Sequence, residues 1–182
     1  MSALTFTNQT PYITQYVVTK GEQTVARLPG IAQGATLTVP SDDTYTVTAT
    51  TILEGNTYTS APITVSGAAG FLAQVKQNCE QGTYDFEMLK QASNAADQIV
   101  FQKTTIGPVT FNISKNGVHL QSVVVPDSFR NRTLKIGSEY SIYAVIKGVT
   151  TCVTTTTNPN AAVTSLVDNT DLEAGYFTLS VV

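Results

Sequence analysis

The amino-acid sequence predicts an all-β protein built as two tandem antiparallel β-sandwich domains. Three observations support this: a composition of strand-forming residues, short alternating segments separated by turn residues, and an internal repeat. The 182 residues include thirty threonines, eight tyrosines and seven phenylalanines, but two methionines and no tryptophan. β-Branched and aromatic side chains are enriched in strands, so this composition favours sheets over helices.

Short alternating segments place the individual strands. In Thr44–Thr50, Tyr45, Val47 and Ala49 alternate with threonines, which is the period-two pattern of a half-buried strand. The turn pairs Asn116-Gly117, Glu54-Gly55 and Lys147-Gly148 are typical of β-hairpins. For the first ninety residues we therefore expect strands near 3–7, 12–19, 23–28, 35–39, 44–53, 57–65, 70–76 and 83–89.

The internal repeat divides the chain. The segment Leu4–Pro11 matches Ile99–Pro108, and the strand around Tyr45 matches the strand around Tyr140, at a spacing near 95 residues. Such ordered self-similarity indicates a duplicated structural unit. We expect one module at residues 1–90, a linker at 91–97 within the polar, alanine-bearing segment KQASNAAD, and a second module at 98–182.

Charge and targeting signals limit the possible settings of the protein. Charged residues make up 13% of the chain and the formal net charge is −3, which argues against a basic nucleic-acid-binding protein. The first nineteen residues contain no Lys or Arg and no long apolar run, so we expect synthesis in a cytoplasm without a signal peptide. No run approaches the ~20 apolar residues that span a bilayer.

The sequence contains few residues suited to catalysis. His119 is the single histidine and follows a hairpin turn, where a solvated side chain is the simpler interpretation. Cys79 and Cys152 do not occupy matching positions in the two copies, and we expect free, half-buried thiols, although a disulfide stays open. Three residues of these types cannot complete a structural zinc site. We predict no enzymatic activity, no metal site and no cofactor.

Acidic residues offer two further candidates. Asp85 and Glu87 would share one face of a strand, as a glycoside-hydrolysing pair could. Sites that cleave sugars usually also have aromatic platforms, and this chain contains no tryptophan. The segment DNTDLEAG holds Asp168, Asp171 and Glu173, but it is too short for an EF-hand loop. We favour an ordinary acidic hairpin there, with a weak surface calcium ion as the open alternative.

A basic cluster is the candidate partner-binding site. Arg130, Arg132 and Lys135 lie within six residues, and the two arginines would share one side of a strand. Such a patch could contact an acidic partner, a phosphate or a neighbouring subunit. The alternative is a charged edge strand that discourages unwanted pairing.

The strands Tyr45-x-Val47-x-Ala49 and Tyr140-x-Ile142-x-Ala144 give the chain a resemblance to a known type of module. The chain resembles the tandem immunoglobulin-like or fibronectin-III-like β-sandwich modules of bacteriophage virions and bacterial surface proteins. It lacks the paired cysteines and core tryptophan of antibody domains. The resemblance implies a protein that binds, spaces or decorates, and it assigns no functional residue.

Two functions are compatible with these features of the sequence. The first is a non-enzymatic structural or interaction protein, such as a decoration, neck, tail or fibre-associated subunit, which would bind other protein subunits in an oligomeric assembly and enter a virion. The second is a soluble carbohydrate- or receptor-binding protein, either a lectin or a small insecticidal or cytolytic toxin. In that case tyrosines such as Tyr12, Tyr16, Tyr58 and Tyr143 would serve as the binding platforms.

Overall fold

The structure, a computed structural model, describes residues 1–126, 131–170 and 175–182. Within these ranges the regular elements are β-strands and there is no helix, which confirms the all-β prediction. It follows that no helix in the described ranges could cross a membrane. The strands in chain order are β1 (Ala3–Asn8), β2 (Thr14–Gly21), β3 (Gln23–Arg27), β4 (Thr36–Pro40), β5 (Thr44–Leu53), β6 (Asn56–Thr59), β7 (Ile63–Ser66), β8 (Ala69–Asn78), β9 (Thr83–Gln91), β10 (Gln98–Lys103), β11 (Val109–Lys115), β12 (Val118–Val125), β13 (Arg132–Ile146), β14 (Val149–Thr150), β15 (Thr154–Thr156), β16 (Ala162–Asp168) and β17 (Tyr176–Val181).

Strand β5 shows how the alternating pattern becomes structure. It occupies the predicted residues 44–53, and Tyr45, Val47 and Ala49 are buried on one face. The predicted strand 57–65 is instead two strands, β6 and β7. Pro62 lies between them and has no N–H for a sheet, and the Ser60 hydroxyl accepts the hydrogen bond of the Ala49 N–H at 2.9 Å.

The three predicted hairpin turns have the expected backbone. Glu54, Asn116 and Lys147 all have positive φ, and each is followed by a glycine that also has positive φ. Two consecutive residues of positive φ are the requirement of a type I′ turn, which matches the twist of the flanking strands.

The chain forms two compact units, of which unit 1 comprises Met1–Asp42 and Gly137–Val182. One of its sheets has the order β17-β16-β1-β4, and in the other β2 lies between β3 and the later part of β13, with β14 and β15 also paired to β13. Both sheets contribute to one apolar core, whose residues are Leu4, Phe6, Tyr16, Val18, Val25, Ala26, Leu28, Ile31, Tyr140, Ile142, Ala144, Ile146, Ala161 and Val163.

Unit 2 comprises Asp43–Ile136 and repeats this plan. One sheet runs from the first residues of β13 through β10 and β8 to β9, and the other has the order β12-β11-β5-β6 with β7 also paired to β5. Its core residues are Tyr45, Val47, Ala49, Val65, Ala69, Phe71, Ala73, Met88, Ile99, Phe101, Val109, Phe111, Ile113, Val123 and Val125.

The observed division differs from the predicted modules. The chain passes between units at Asp42/Asp43 and at Ile136/Gly137, whereas residues 91–97, the predicted linker, lie inside unit 2. There the Ser93 hydroxyl donates to the carbonyl of Gln98 at 2.8 Å. Each unit therefore combines residues from both of the predicted modules.

The prediction of wholly antiparallel sheets was wrong. In unit 1, β1 and β16 are parallel, and in unit 2, β10 and β8 are parallel. Alternation along a strand identifies its buried face but carries no information about its partner, so the sequence could not reveal these pairs.

The pairing registers repeat with the spacing seen in the sequence. Phe6 lies opposite Leu37 in unit 1, and Phe101 lies opposite Arg132 in unit 2. The two phenylalanines are 95 residues apart in the sequence, and so are the two residues opposite them. A side-chain hydroxyl also accepts the hydrogen bond of a matching alanine N–H in each unit. In unit 1, Thr151 Oγ1 accepts from the Ala144 N–H at 3.0 Å, and in unit 2, Ser60 Oγ accepts from the Ala49 N–H at 2.9 Å.

Candidate functional site

The predicted basic cluster does not form one surface in the described residues. Arg130 lies outside them. Arg132 lies opposite Phe101 and Lys135 lies opposite Gln98 in the β10–β13 pair, so the exposed Arg132 and Lys135 side chains point to opposite faces. A role for these three residues in partner binding stays a prediction.

His119 is exposed on β12 and contacts a serine. Its Nε2 lies 3.3 Å from Ser122 Oγ, and Ser122 Oγ donates a hydrogen bond to Asn112 Oδ1 at 2.8 Å. The hydroxyl has one proton and gives it to Asn112, so in this arrangement His119 donates to Ser122 instead of accepting its proton. A nucleophilic serine needs the opposite arrangement.

The two cysteines are free and exposed, although half-buried thiols were expected. Cys79 lies in the turn that follows β8, and Cys152 lies between β14 and β15. Among the residues that the structure describes, no group of three or more His, Cys, Asp and Glu side chains is placed to hold a metal ion.

Glu87, one member of the candidate carboxylate pair, contacts a cationic and an amide side chain. Glu87 Oε1 forms an ion pair with Lys76 Nζ at 2.5 Å and accepts a hydrogen bond from Gln74 Nε2. These hydrogen bonds, with Lys76 the larger cause, lower the pKa of Glu87 below its ordinary value. A general acid for glycoside hydrolysis needs a raised pKa, so the environment of Glu87 opposes that role.

Asp168, the first residue of the acidic segment, accepts hydrogen bonds from its described neighbours. Asp168 Oδ1 accepts a hydrogen bond from the Thr170 N–H at 2.9 Å and Oδ2 accepts one from the Tyr176 hydroxyl at 3.2 Å. The hydrogen bonds from Thr170, followed by that from Tyr176, lower the pKa of Asp168. Asp171 and Glu173 lie outside the described residues, so the calcium alternative stays untested.

Unit 1 contains a cleft of about 470 Å³ that the sequence did not indicate. The Tyr12 ring has Lys147 Nζ 4.9 Å from its centroid, and the Phe177 ring meets it edge-on with centroids 5.9 Å apart. Both are favourable aromatic contacts. The lining residues of this unit 1 cleft are Pro11, Tyr12, Lys147, Val167, Asn169, Gly175, Tyr176 and Phe177.

A buried asparagine fixes the loop that carries Tyr12. Asn8 ends β1, and its Nδ2 donates to the carbonyls of Tyr12 and Ile31 at 2.6 and 2.8 Å. Its Oδ1 accepts hydrogen bonds from the Thr10 hydroxyl and the Ser165 hydroxyl at 2.8 and 3.0 Å. Every polar atom of this buried amide is used, which positions Tyr12 without the help of solvent.

Unit 2 contains a second cleft, of about 300 Å³. The loop on its rim follows β10 and carries Ile106, whose side chain is 95% exposed. Lys103 is 3% exposed beneath this loop, and its Nζ donates to the carbonyls of Thr105 and Gly107 at 2.9 and 2.7 Å. The lining residues of this unit 2 cleft are Leu53, Glu54, Tyr58, Val75, Tyr84, Thr104, Thr105 and Ile106.

The two clefts occupy matching positions in the two units. Pro11 and Ile106 stand 95 residues apart, each in the loop after the first strand of the repeat. Lys147 and Glu54 are each the first residue of a type I′ turn on the cleft rim. Val167 and Val75 each lie opposite a phenylalanine across the adjoining hairpin. The clefts are therefore the same feature of the fold with different side chains.

Exposed apolar side chains gather around both clefts. In unit 2, Ile106 and the 51% exposed Tyr84 line the cleft, and the exposed Ile52 directly precedes the lining residue Leu53. In unit 1, Tyr12 and Tyr176 are each 40% exposed. Clusters of exposed apolar groups beside a concave surface are typical of binding sites.

The sequence identified part of these sites. Tyr12 and Tyr58, named as possible binding platforms, line the unit 1 and unit 2 clefts respectively. Tyr16 is fully buried, and its hydroxyl donates to the Thr7 carbonyl at 2.8 Å, so it cannot meet a ligand. Ile106 and Glu54 were missed, because a single apolar or charged turn residue has no distinguishing signal before the cleft is seen.

Comparison with protein-family models, with curated protein sequences and with solved structures gives no match to this chain. The chemistry of the clefts must therefore come from their own residues. They offer aromatic rings, aliphatic side chains, the Asn169 amide and one charged group each. These groups suit the binding of a partner by apolar contact and hydrogen bonds.

Proposed function

We propose that this protein is a non-enzymatic interaction protein that holds other protein subunits through the unit 1 and unit 2 clefts. The observation that carries the proposal is the matched pair of clefts, each bordered by exposed apolar side chains. Such a protein fits a structural role in an assembly, and a decoration, neck, tail or fibre-associated subunit of a virion remains the proposed setting.

The arrangement of the polar candidates supports a non-enzymatic role. Ser122 gives its proton to Asn112, and Glu87 is held ionised by Lys76 and Gln74. Neither group is prepared to take or donate a proton at a substrate. If replacing His119 by Ala abolished a measured activity of this protein, the non-enzymatic proposal would fail.

We also propose that the chain arose by duplication of an immunoglobulin-like β-sandwich module. The repeated registers and the matched hydrogen bonds of the Ala49 and Ala144 N–H groups support this origin. The unit boundaries imply that the halves of the two copies were then exchanged. The first half of copy one and the second half of copy two form unit 1, and the remaining halves form unit 2.

Site-specific photocrosslinking tests the proposed function. A photoreactive amino acid replaces Tyr84 in the unit 2 cleft or Tyr12 in the unit 1 cleft, and the protein is irradiated in the cells that produce it. Val118, which is exposed on β12 and lines neither cleft, provides the matched control position. We expect protein adducts of discrete mass from the cleft positions alone. No adduct, or equal adducts from Val118, would contradict the proposal.

Carbohydrate binding is a second candidate, and the unit 1 cleft favours it. Tyr12 and Tyr176 present ring surface beside the Asn169 amide, which is the combination that sugar recognition needs. A glycan array distinguishes this candidate. If it is right, retention on the array falls at least tenfold in Tyr12→Ala and is unchanged in Tyr84→Ala, which alters the other cleft.

A further inference from the structure

We infer that the partner of each cleft is a second copy of this chain, with the unit 2 cleft of one copy docked on the unit 1 cleft of the next. This inference rests on the proposed function and names its partner. Two independent observations support it. Ile106 projects from the rim of the unit 2 cleft and is of a size that the larger unit 1 cleft could receive. Glu54 on the unit 2 rim and Lys147 on the unit 1 rim carry opposite charges at matching positions.

The apolar complementarity starts from Ile106. A 95% exposed isoleucine at the tip of a loop leaves nearly all of its apolar surface in water. Lys103 and Thr105 hold that loop through the Gly107 carbonyl at 2.7 and 3.0 Å, so Ile106 is presented from a fixed backbone. The unit 1 cleft, at about 470 Å³, offers the rings of Tyr12, Tyr176 and Phe177 to receive it. Burial of an isoleucine side chain from water contributes about 1.5–3 kcal/mol.

The charges select which clefts meet. Glu54 on the unit 2 rim and Lys147 on the unit 1 rim occupy the same turn position. Lys147 already lies over the Tyr12 ring at the rim. A contact between two unit 2 clefts would bring Glu54 of one copy near Glu54 of the other. A contact between two unit 1 clefts would likewise bring the two Lys147 side chains together. Like charges at an interface are unfavourable, so the charges favour the contact between unlike clefts.

The contact between unlike clefts has a distinctive consequence for assembly. Each copy uses one surface to dock and keeps the other surface free for the next copy. Heterologous contacts of this kind repeat, and they either close into a ring, of which a pair of copies is the smallest, or continue as an open chain.

Charge exchange provides the decisive experiment. The mass of the full-length chain is followed against concentration by sedimentation velocity, together with Glu54→Lys, Lys147→Glu and an equimolar mixture of the two. We expect the wild type to assemble at high concentration, and each single variant to need about tenfold more protein because its two rims carry the same charge. The mixture should regain wild-type assembly, since every interface then joins unlike charges. So should the double variant Glu54→Lys/Lys147→Glu.

Two further variants keep the result interpretable. Lys90→Glu makes the same charge change as Lys147→Glu at an exposed site that lines neither cleft, and it should assemble as the wild type does. Ile106→Asp should remain monomeric while it keeps the far-ultraviolet circular dichroism of a folded chain. A wild type that is monomeric at all concentrations, or a mixture that assembles no better than its components, would overturn the inference.

The photocrosslinking masses separate this inference from the proposed function. Adducts of twice the chain mass from Tyr84 and Tyr12 positions support both. Adducts with a different protein, together with a monomeric wild type, leave the proposed function in place and overturn the second copy as the partner. The absence of any adduct from both cleft positions overturns both.

Discussion

Units 1 and 2 share a backbone plan but solve the same local problem with different side chains. The loop after the first strand of each repeat turns its carbonyls inward, and these need buried donors. In unit 1 the donor is the Asn8 amide, and in unit 2 it is the Lys103 ammonium. Both donate to the carbonyl at the same loop position, Tyr12 or Gly107. The carbonyl is therefore the fixed requirement. A threonine hydroxyl contacts it at 3.0 Å in both units, from Thr10 or Thr105, while the second donor differs.

The clefts show the opposite relation. Their place in the fold is common, but the rim charge reverses from Lys147 to Glu54. Both residues have nearly the same positive φ, 50° at Glu54 and 51° at Lys147, so the backbone of the turn is common to the two rims and only the side chain differs. This reversal of charge is what the proposed contact between unlike clefts requires.

Truncation of a core phenylalanine should give the largest loss of unfolding free energy, and the loss should be greater in unit 2 than in unit 1. Phe6→Ala removes a ring that packs on Tyr16 at 4.9 Å in unit 1, and Phe101→Ala removes one that packs on Phe71 and Phe111 at 5.7 and 5.0 Å in unit 2. Each should cost about 3–5 kcal/mol of unfolding free energy, with Phe101→Ala nearer the upper end. Urea unfolding gives the loss, and amide exchange shows which unit opens. A loss below about 1 kcal/mol would contradict the packing described.

Replacement of the loop anchors should have the next largest effect. Lys103→Met keeps the length of the side chain but removes the donor to the Thr105 and Gly107 carbonyls, and Asn8→Leu does the same for Tyr12 and Ile31. The Thr105 hydroxyl still reaches the Gly107 carbonyl in Lys103→Met, as the Thr10 hydroxyl still reaches the Tyr12 carbonyl in Asn8→Leu. An unpaired buried carbonyl costs about 1–3 kcal/mol, and we expect each variant to lose about that amount. Asn8→Leu should lose more, since its Oδ1 also accepts hydrogen bonds. Equal stability of Lys103→Met and wild type in urea would show that the ammonium is not needed.

Two matching glycines should respond unequally to a methyl group. Gly82 and Gly175 have φ of 63° and 67°, so Ala costs about 1–2 kcal/mol at either position. At Gly82 the added carbon meets open space, whereas at Gly175 it would lie 1.9 Å from Asn169 Oδ1. Gly175→Ala should therefore be the more destabilising variant by thermal unfolding, and it should displace Asn169 from the unit 1 cleft. Equal changes in Tm would contradict this comparison.

The smallest expected effect is a difference in salt response between two carboxylates. Glu87 and Asp168 both have lowered pKa values, so each contributes stability that is present above its unfolded-state pKa and lost as the pH falls through its folded value. Glu87 depends chiefly on the Lys76 cation, and Asp168 depends on neutral donors. Carboxyl NMR titration at low and high salt should show the pKa of Glu87 rising with salt and that of Asp168 unchanged. A salt-dependent Asp168 would contradict the hydrogen-bond origin.

The sequence predicted local structure well and long-range pairing poorly. The threonine alternation placed β5 at its observed bounds, because each residue there faces either the core or the solvent. The parallel pair of β1 and β16 joins Thr5 to Ala162, and no local pattern distinguishes that partner from other apolar strands. The spacing of 95 residues was visible in the sequence, but the combination of residues from both predicted modules in each unit was not.

The two clefts were only partly predictable for a related reason. Aromatic residues such as Tyr12 could be named from composition, whereas Lys103 would be expected at the surface because lysine is rarely buried. Its match to Asn8 at the repeat spacing was the available signal, since two polar residues at the same strand end indicate a common partner in the loop. The clefts required the fold, because their rims come from three separate parts of the chain.

The order in which the chain leaves the ribosome gives the unit boundaries a consequence for biosynthesis. Unit 2 is one continuous segment, but unit 1 begins with Met1–Asp42 and is completed by Gly137–Val182. At translation rates of roughly 5–20 residues per second, the apolar strands of the opening segment wait about 5–20 s for their partners. The later-starting unit can close first, and a nascent chain stalled once Ile136 has left the ribosome would carry a complete unit 2 beside an incomplete unit 1.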